Sequence, residues 1–240
     1  MPKLRDLIQR STRADPAPLG FASQRSKSAP SIVLVASIGK DWKKGVANAA
    51  AAGADACLLT NGPAKNDIAD AVAAADGRPC GLLDGPAEAG LDFIVLGTDA
   101  PASLLQDDEL GRVLLVPADL TDIQLRTMES LAVDALYLDQ TTPDTILGQM
   151  ELRRVSGLAR RPLLVPAPAE ASQDALLSLR DAGGALLAVD ATGGTGELSR
   201  LRALVDALPR RKRGRHEGGP EVTVPSAAAH DHDHDDDDEE

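Results

Sequence analysis

Between residues 31 and 208 the apolar positions fall into eight short runs: 32–37 (IVLVAS), 56–60 (ACLLT), 79–84 (PCGLLD), 91–97 (LDFIVLG), 112–117 (RVLLVP), 133–139 (VDALYLD), 162–166 (PLLVP) and 185–190 (ALLAVD). Each is nearly continuous in apolar character. That is the pattern of parallel strands buried on both faces; a strand with one wet face alternates instead. The stretches between them carry apolar residues at helical spacing. The segment 43–52 is alanine-rich and stops at Gly53, and 67–75 aligns Ile68, Val72 and Ala75 behind the capping candidate Asn66. The segment 121–131 carries Ile123, Leu125, Met128 and Leu131, and 144–159 carries Ile146, Met150 and Val155. Two further helices are predicted over 172–182, ending at Gly183-Gly184, and 196–208, ending before Pro209.

Strands alternating with helices predict an α/β protein with a parallel sheet, and eight strands predict a closed (β/α)8 TIM barrel over 31–208. The barrel is compact: 178 residues, where about 200–250 is usual. Only 85–90 joins the third and fourth strands, where a parallel crossover takes about a dozen residues. A helix reduced to one turn is expected there, and an open doubly wound sheet is the alternative architecture. Residues 1–30 form an N-terminal extension with a short amphipathic helix over 4–10, whose Leu4, Leu7 and Ile8 are placed to plug the bottom of the barrel. Residues 209–240 are polar and charge-segregated, the composition of a disordered tail.

Charge changes this picture little once it is located. The net charge is −12, but 230–240 holds eight of the 37 acids, and 209–221 holds five of the 25 bases and two acids. The remainder carries 20 basic and 27 acidic residues, too acidic a body to leave an electrostatic footprint for nucleic acid. Its few aromatics, Phe21, Trp42, Phe93 and Tyr137, supply no base-stacking platform. No apolar run approaches the ~18–20 residues of a membrane span, and Met1–Asp6 lacks the apolar stretch of a secretory signal. Two cysteines, Cys57 and Cys80, are too few for a disulfide framework. The expectation is a cytoplasmic protein without nucleic-acid partners.

All four histidines, His216, His230, His232 and His234, lie outside the barrel span. The body therefore has no histidine for a general base, a Ser-His-Asp triad or a His-ligated metal. In this architecture function sits at the C-terminal ends of the strands. That rule selects Lys40 after the first strand, Asn61 and Lys65 after the second, and Asp84, Asp139 and Asp190 closing the third, sixth and eighth. Carboxylates converging on the mouth can hold Mg2+ or act as a general base where burial raises the pKa. The plainer role is capping of backbone N–H groups in the loops. Asp139 stands out because Gln140 and Thr141 follow it. A mouth lysine such as Lys40 or Lys65 can bind phosphate or carboxylate, or attack as a nucleophile if desolvated. The catalytic candidates are Asp139, Asp84 and Lys40.

The most informative segment follows the eighth strand: Asp190-Ala191-Thr192-Gly193-Gly194-Thr195-Gly196. A strand, a Gly-rich turn and a helix start aim several backbone N–H groups at an anion. Through RDAGGALLAVDATGGTGELSRLRAL the chain resembles the phosphate-binding (β/α)8 barrels of the thiamine-phosphate synthase and tryptophan synthase α type. The resemblance implies phosphate contacts at Gly193, Gly194 and Thr195; Asp190, Asn61 and Lys65, picked out by the strand-end rule, are the further ligand-binding candidates. The chain departs from that pattern after the seventh strand, where PAPAEAS has no glycine. The leading expectation is a protein that binds a small phosphorylated or carboxylated metabolite at the barrel mouth. If catalytic, it is a lyase, isomerase or synthase using carboxylates with or without Mg2+. The alternatives are a non-catalytic barrel scaffold recruiting partners through its termini, or metal handling by the tail through His230, His232 and His234.

Overall fold

The computed structural model describes residues 2–13, 30–88, 90–117, 119–168, 170–192 and 194–209. Residues 210–240, with all four histidines, and most of the polar stretch before residue 30 lie outside them. After helix α1 (Lys3–Thr12) the chain alternates strand and connection: β1 (Val33–Ile38), α2 (Trp42–Ala51), β2 (Ala56–Leu59), α3 (Lys65–Ala74), β3 (Cys80–Leu83), β4 (Phe93–Leu96), β5 (Gly111–Leu115), α4 (Asp122–Thr127), β6 (Ala135–Tyr137), α5 (Ile146–Ala159), β7 (Leu163–Pro166), α6 (Gln173–Asp181), β8 (Gly184–Asp190) and α7 (Gly196–Asp206). All eight strands pair in parallel and in chain order, forming a closed barrel. β8 closes on β1 from Val33 beside Leu186 to Ser37 beside Asp190. The open sheet is excluded.

The barrel is short because two connections are reduced. Among the described residues no α-helix joins β3 to β4, and only a 3-10 turn, Ala102–Gln106, lies between β4 and β5. Arg112 on β5 takes over part of the missing helix's role. It is buried, its guanidinium donates to the Leu105 carbonyl, and it pairs with Asp108 at 3.5 Å.

Alternate strand residues fill the barrel: Val33 and Val35, Ala56 and Leu58, Phe93 and Val95, Val113, Ala135, Leu164, Leu186 and Ala188. Phe93 is the bulkiest of them, and it fits because its strand neighbours are glycines. A Cβ on Gly81 would strike its ring, and one on Gly111 would stand 2.9 Å from its Cβ. The opposite strand faces pack against the helices in a second, outer core.

The N-terminal helix plugs the bottom as expected, with Leu4 and Ile8 buried in the interior cluster and Leu7 packed against it. Asp92 and Asp134, which precede β4 and β6, secure it. Asp92 before β4 accepts the N–H groups of Lys3 and Leu4 at 2.7 and 2.8 Å, capping α1. Asp134 before β6 takes Arg5 at 2.6 Å and the Arg112 N–H at 2.9 Å. Asp55 before β2 accepts from Leu34 and Arg202 at 2.9 and 3.0 Å. Burial there pushes the Asp55 carboxyl above its ordinary value, against the pull of those two donors.

Three helix expectations need correction. α3 starts at Lys65, ahead of the expected 67, because Asn66 is not its cap; the Asp67 carboxylate accepts the Ala64 N–H at 3.3 Å instead. Ile123 of α4 was expected to be in the core but is exposed, while Leu125 is buried. α5 buries Gly148, Leu152, Val155 and Ala159, leaving Ile146 and Met150 83% and 63% exposed. The reason is Gly148: a Cβ there would collide with the Thr142 carbonyl. The helix is docked on its glycine face, and a residue about half a turn away on the helix wheel points outward. No described helix is long and apolar enough to cross a membrane.

Candidate functional site at the barrel mouth

The inward alternation that fills the barrel continues to its C-terminal rim. There it presents Ser37, Thr60, Leu83, Gly97, Leu115, Tyr137, Pro166 and Asp190 on successive strands. The rim is lopsided. From β3 to β7 it is apolar apart from the Tyr137 phenol; from β8 through β1 to β2 it is polar. Closure of the barrel sets Ser37 directly beside Asp190.

The loops above this polar arc are stitched together. Thr192 donates its N–H to the Asp190 carboxylate at 2.8 Å, and its hydroxyl accepts the Gly39 N–H at 3.4 Å. Asn61 donates its side-chain amide to the Gly39 carbonyl at 3.3 Å. Gly39 is required for this approach, since a Cβ there would stand 2.6 Å from the Asn61 amide nitrogen. Trp42 closes the flank, its indole donating to the Thr60 carbonyl at 3.1 Å. Asp41, Asn61 and Asp84, which follow three successive strands, all have positive φ, at 47°, 61° and 51°. Short polar side chains tolerate that conformation best, and such backbones gather at ligand sites.

The N-terminus of α7 opens onto the same arc. Gly194 holds φ 141° with open space around it. Thr195 precedes the first turn and makes no side-chain cap, and Gly196 is exposed. Among the described residues no side chain accepts from the first N–H groups of the helix, which lie at the end of the dipole that favours negative charge. Gly193 lies outside the described residues.

The other candidates are more dispersed. Lys40 is exposed at the arc and has no hydrogen-bond partner among the described residues. Lys65 instead pairs with Glu88 at 2.9 Å, drawing it toward the β3–β4 connection. Asp84, Asp139 and Asp190 share the C-terminal end of the barrel but do not form one centre. Among the described residues no three His, Cys, Asp or Glu side chains gather to hold a metal ion. Asp139 receives the Gln140 amide at 3.1 Å. Tyr137, below it, is pushed above its ordinary pKa by burial first and by the Asp139 charge second, so the phenol stays protonated. Beside them, Gln140, Thr141, Thr142, Leu147 and Glu151 line a cleft of about 170 Å3. Ser37 was not singled out by the sequence; its only signal was parity with the apolar residues below it on the same strand. Thr60, at the end of the second strand, is one of the residues the strand-end rule picks out.

No protein-family model and no curated protein matches the chain. The likeness is to solved structures, and it is one of fold. Thiamine phosphate pyrophosphorylase from Pyrococcus furiosus superposes with a TM-score of 0.58 at 15% identity, over 73% of this chain and 96% of that one. The tryptophan synthase α-subunit from the same organism gives 0.57 at 18% identity, over 75% and 98%. A homocysteine methyltransferase from Escherichia coli gives 0.54 at 15%, over 72% and 95%. The resemblance at the architectural level that the strand-eight segment suggested is thus found in three dimensions. Three differently named activities on one shape show that the reaction has to be argued from the site.

Proposed function

We propose that this barrel binds a small phosphorylated metabolite at the β8–β1–β2 arc of its mouth and acts on it as a lyase, isomerase or synthase. The observation that carries this reading is the pairing of unlike groups on one arc. The open N-terminus of α7 with Gly194 and Thr195 suits an anion. A few residues away Asp190, Ser37 and Thr60 suit hydroxyls. A ligand with a phosphate at one end and hydroxyls at the other matches both. Lys40, exposed at the arc, is the cation within the same arc that can pair with the phosphate. Asp190 is the carboxylate in position to accept a proton from the ligand, with Asp139 and the protonated Tyr137 on the facing side of the mouth. The names of two structural neighbours, a thiamine phosphate pyrophosphorylase and a tryptophan synthase subunit, agree with a barrel enzyme. The buried, unpaired thiols fit a reducing cytosol.

The test is a thermal-shift series with inorganic phosphate, sulfate and sugar phosphates. A ligand at 100 times its Kd adds about 2.7 kcal/mol of stability. Gly194→Asp puts a carboxylate where the anion sits; Thr195→Glu does so at an ordinary backbone angle. Both are expected to abolish the ligand-induced shift while the unliganded melting temperature of Thr195→Glu stays close to wild type. No shift with any of these anions at millimolar concentration favours the scaffold reading instead.

A further inference from the structure

We infer that the outward face of α5 is the contact surface for a second copy of this chain, docked antiparallel across a two-fold axis. Ile146, Leu147 and Met150 are 83%, 77% and 63% exposed on adjacent turns, and Ile123 on neighbouring α4 is 76% exposed. The Arg154–Asp122 pair, at 2.9 Å, draws the first turn of α4 against α5. Single exposed apolar residues are ordinary, but a contiguous group marks an interface.

The spacing identifies the occupant. Ile146, Met150, Arg153 and Gly157 all lie on the exposed side of α5, and steps of four, three and four residues keep them on one narrow stripe of a helix. That series reads the same in both directions. Two copies of α5 packed antiparallel therefore set Ile146 over Gly157 of the second copy and Met150 beside the aliphatic stem of its Arg153. This self-complementarity is what a two-fold interface requires.

Gly157 is the second sign. Glycine in a helix costs about 1 kcal/mol relative to alanine, and a Cβ here would meet nothing within 4 Å. Nothing inside the subunit requires it, whereas a side chain seated from outside does. Charge agrees as well. Asp144, ahead of the helix, is exposed and has no ion pair among the described residues, and Arg160 stands exposed at the other end, where its 3.2 Å pair with Glu129 is a surface one that leaves the guanidinium accessible. Antiparallel packing brings Asp144 of each copy toward Arg160 of the other, with helix dipoles opposed.

Sedimentation velocity on the full chain across micromolar concentrations tests this. Wild type is expected as a dimer in equilibrium with monomer. Met150→Lys, which sets a second cation beside Arg153 of the other copy, and Gly157→Glu, which puts a carboxylate where Ile146 of the other copy seats, both lie on the solvent face of the subunit; each is expected to weaken association about 100-fold and to leave the circular dichroism spectrum unchanged. An Ile146→Cys/Gly157→Cys variant is expected to form a disulfide-linked dimer on oxidation. The two positions are too far apart along one helix to bond within a chain. A wild type that stays monomeric throughout, or a dimer that neither substitution weakens and that yields no cross-link, overturns the assignment.

Discussion

Phe93 shows how one side chain and its neighbours' missing ones set the barrel interior. The ring occupies space that Gly81 and Gly111 leave vacant. Phe93→Ala is expected to cost about 3–5 kcal/mol, and Gly81→Val about 1–3 kcal/mol through overpacking. Denaturant titration of both and of the double variant should give a double cost well below the sum, since the second change fills the space the first empties. Full additivity would mean that they do not share that space. The cysteines make the opposite point, that position can silence a reactive group. Cys57 and Cys80 face each other in register on β2 and β3, and burial pushes both thiols up to about 12. Thiolate is the reactive form. Neither should react with a thiol reagent at about pH 8 in the native protein, and both should react in denaturant. Prompt native labelling would show that these strands open.

At the scale of elements, the N-terminal helix behaves as part of the barrel floor. Leu4→Ala is expected to cost about 2–5 kcal/mol. Asp134→Ala should destabilise more than Arg5→Ala in thermal unfolding, because it frees both the Arg5 guanidinium and the Arg112 N–H. Equal effects would mean that only the ion pair matters. The plug and all eight strands were legible from hydrophobic pattern, because a strand buried on both faces has almost no polar positions to confuse it. The rotation of α5 was not. Its sequence offers Ile146 and Met150 as readily as Leu152 and Val155 to the core. What decides is the close approach of Gly148 to Thr142, a tertiary contact that leaves no trace in periodicity. The start of α3 was missed for a related reason, since Asp67 caps backward from inside the helix.

For the whole molecule, the decisive fact is closure. It places β8 against β1, so that residues far apart in the chain, Ser37 and Asp190 or Gly39 and Thr192, become neighbours. The sequence exposed the strand ends and the Gly-rich turn before α7. Parity and closure were needed to reveal that the polar rim is confined to one arc and that Asp84, Asp139 and Asp190 do not share a metal centre. That arc is the phosphate end of the proposed ligand site. Titration of the 15N-labelled protein with inorganic phosphate, followed by amide resonances, tests it most directly. Saturable shifts are expected, concentrated at the backbone N–H groups of Gly194, Thr195 and Gly196, with smaller ones at Gly39 and Asn61, all lost in Thr195→Glu. Shifts that are absent, or that cluster away from the β8–β1–β2 arc, would contradict it.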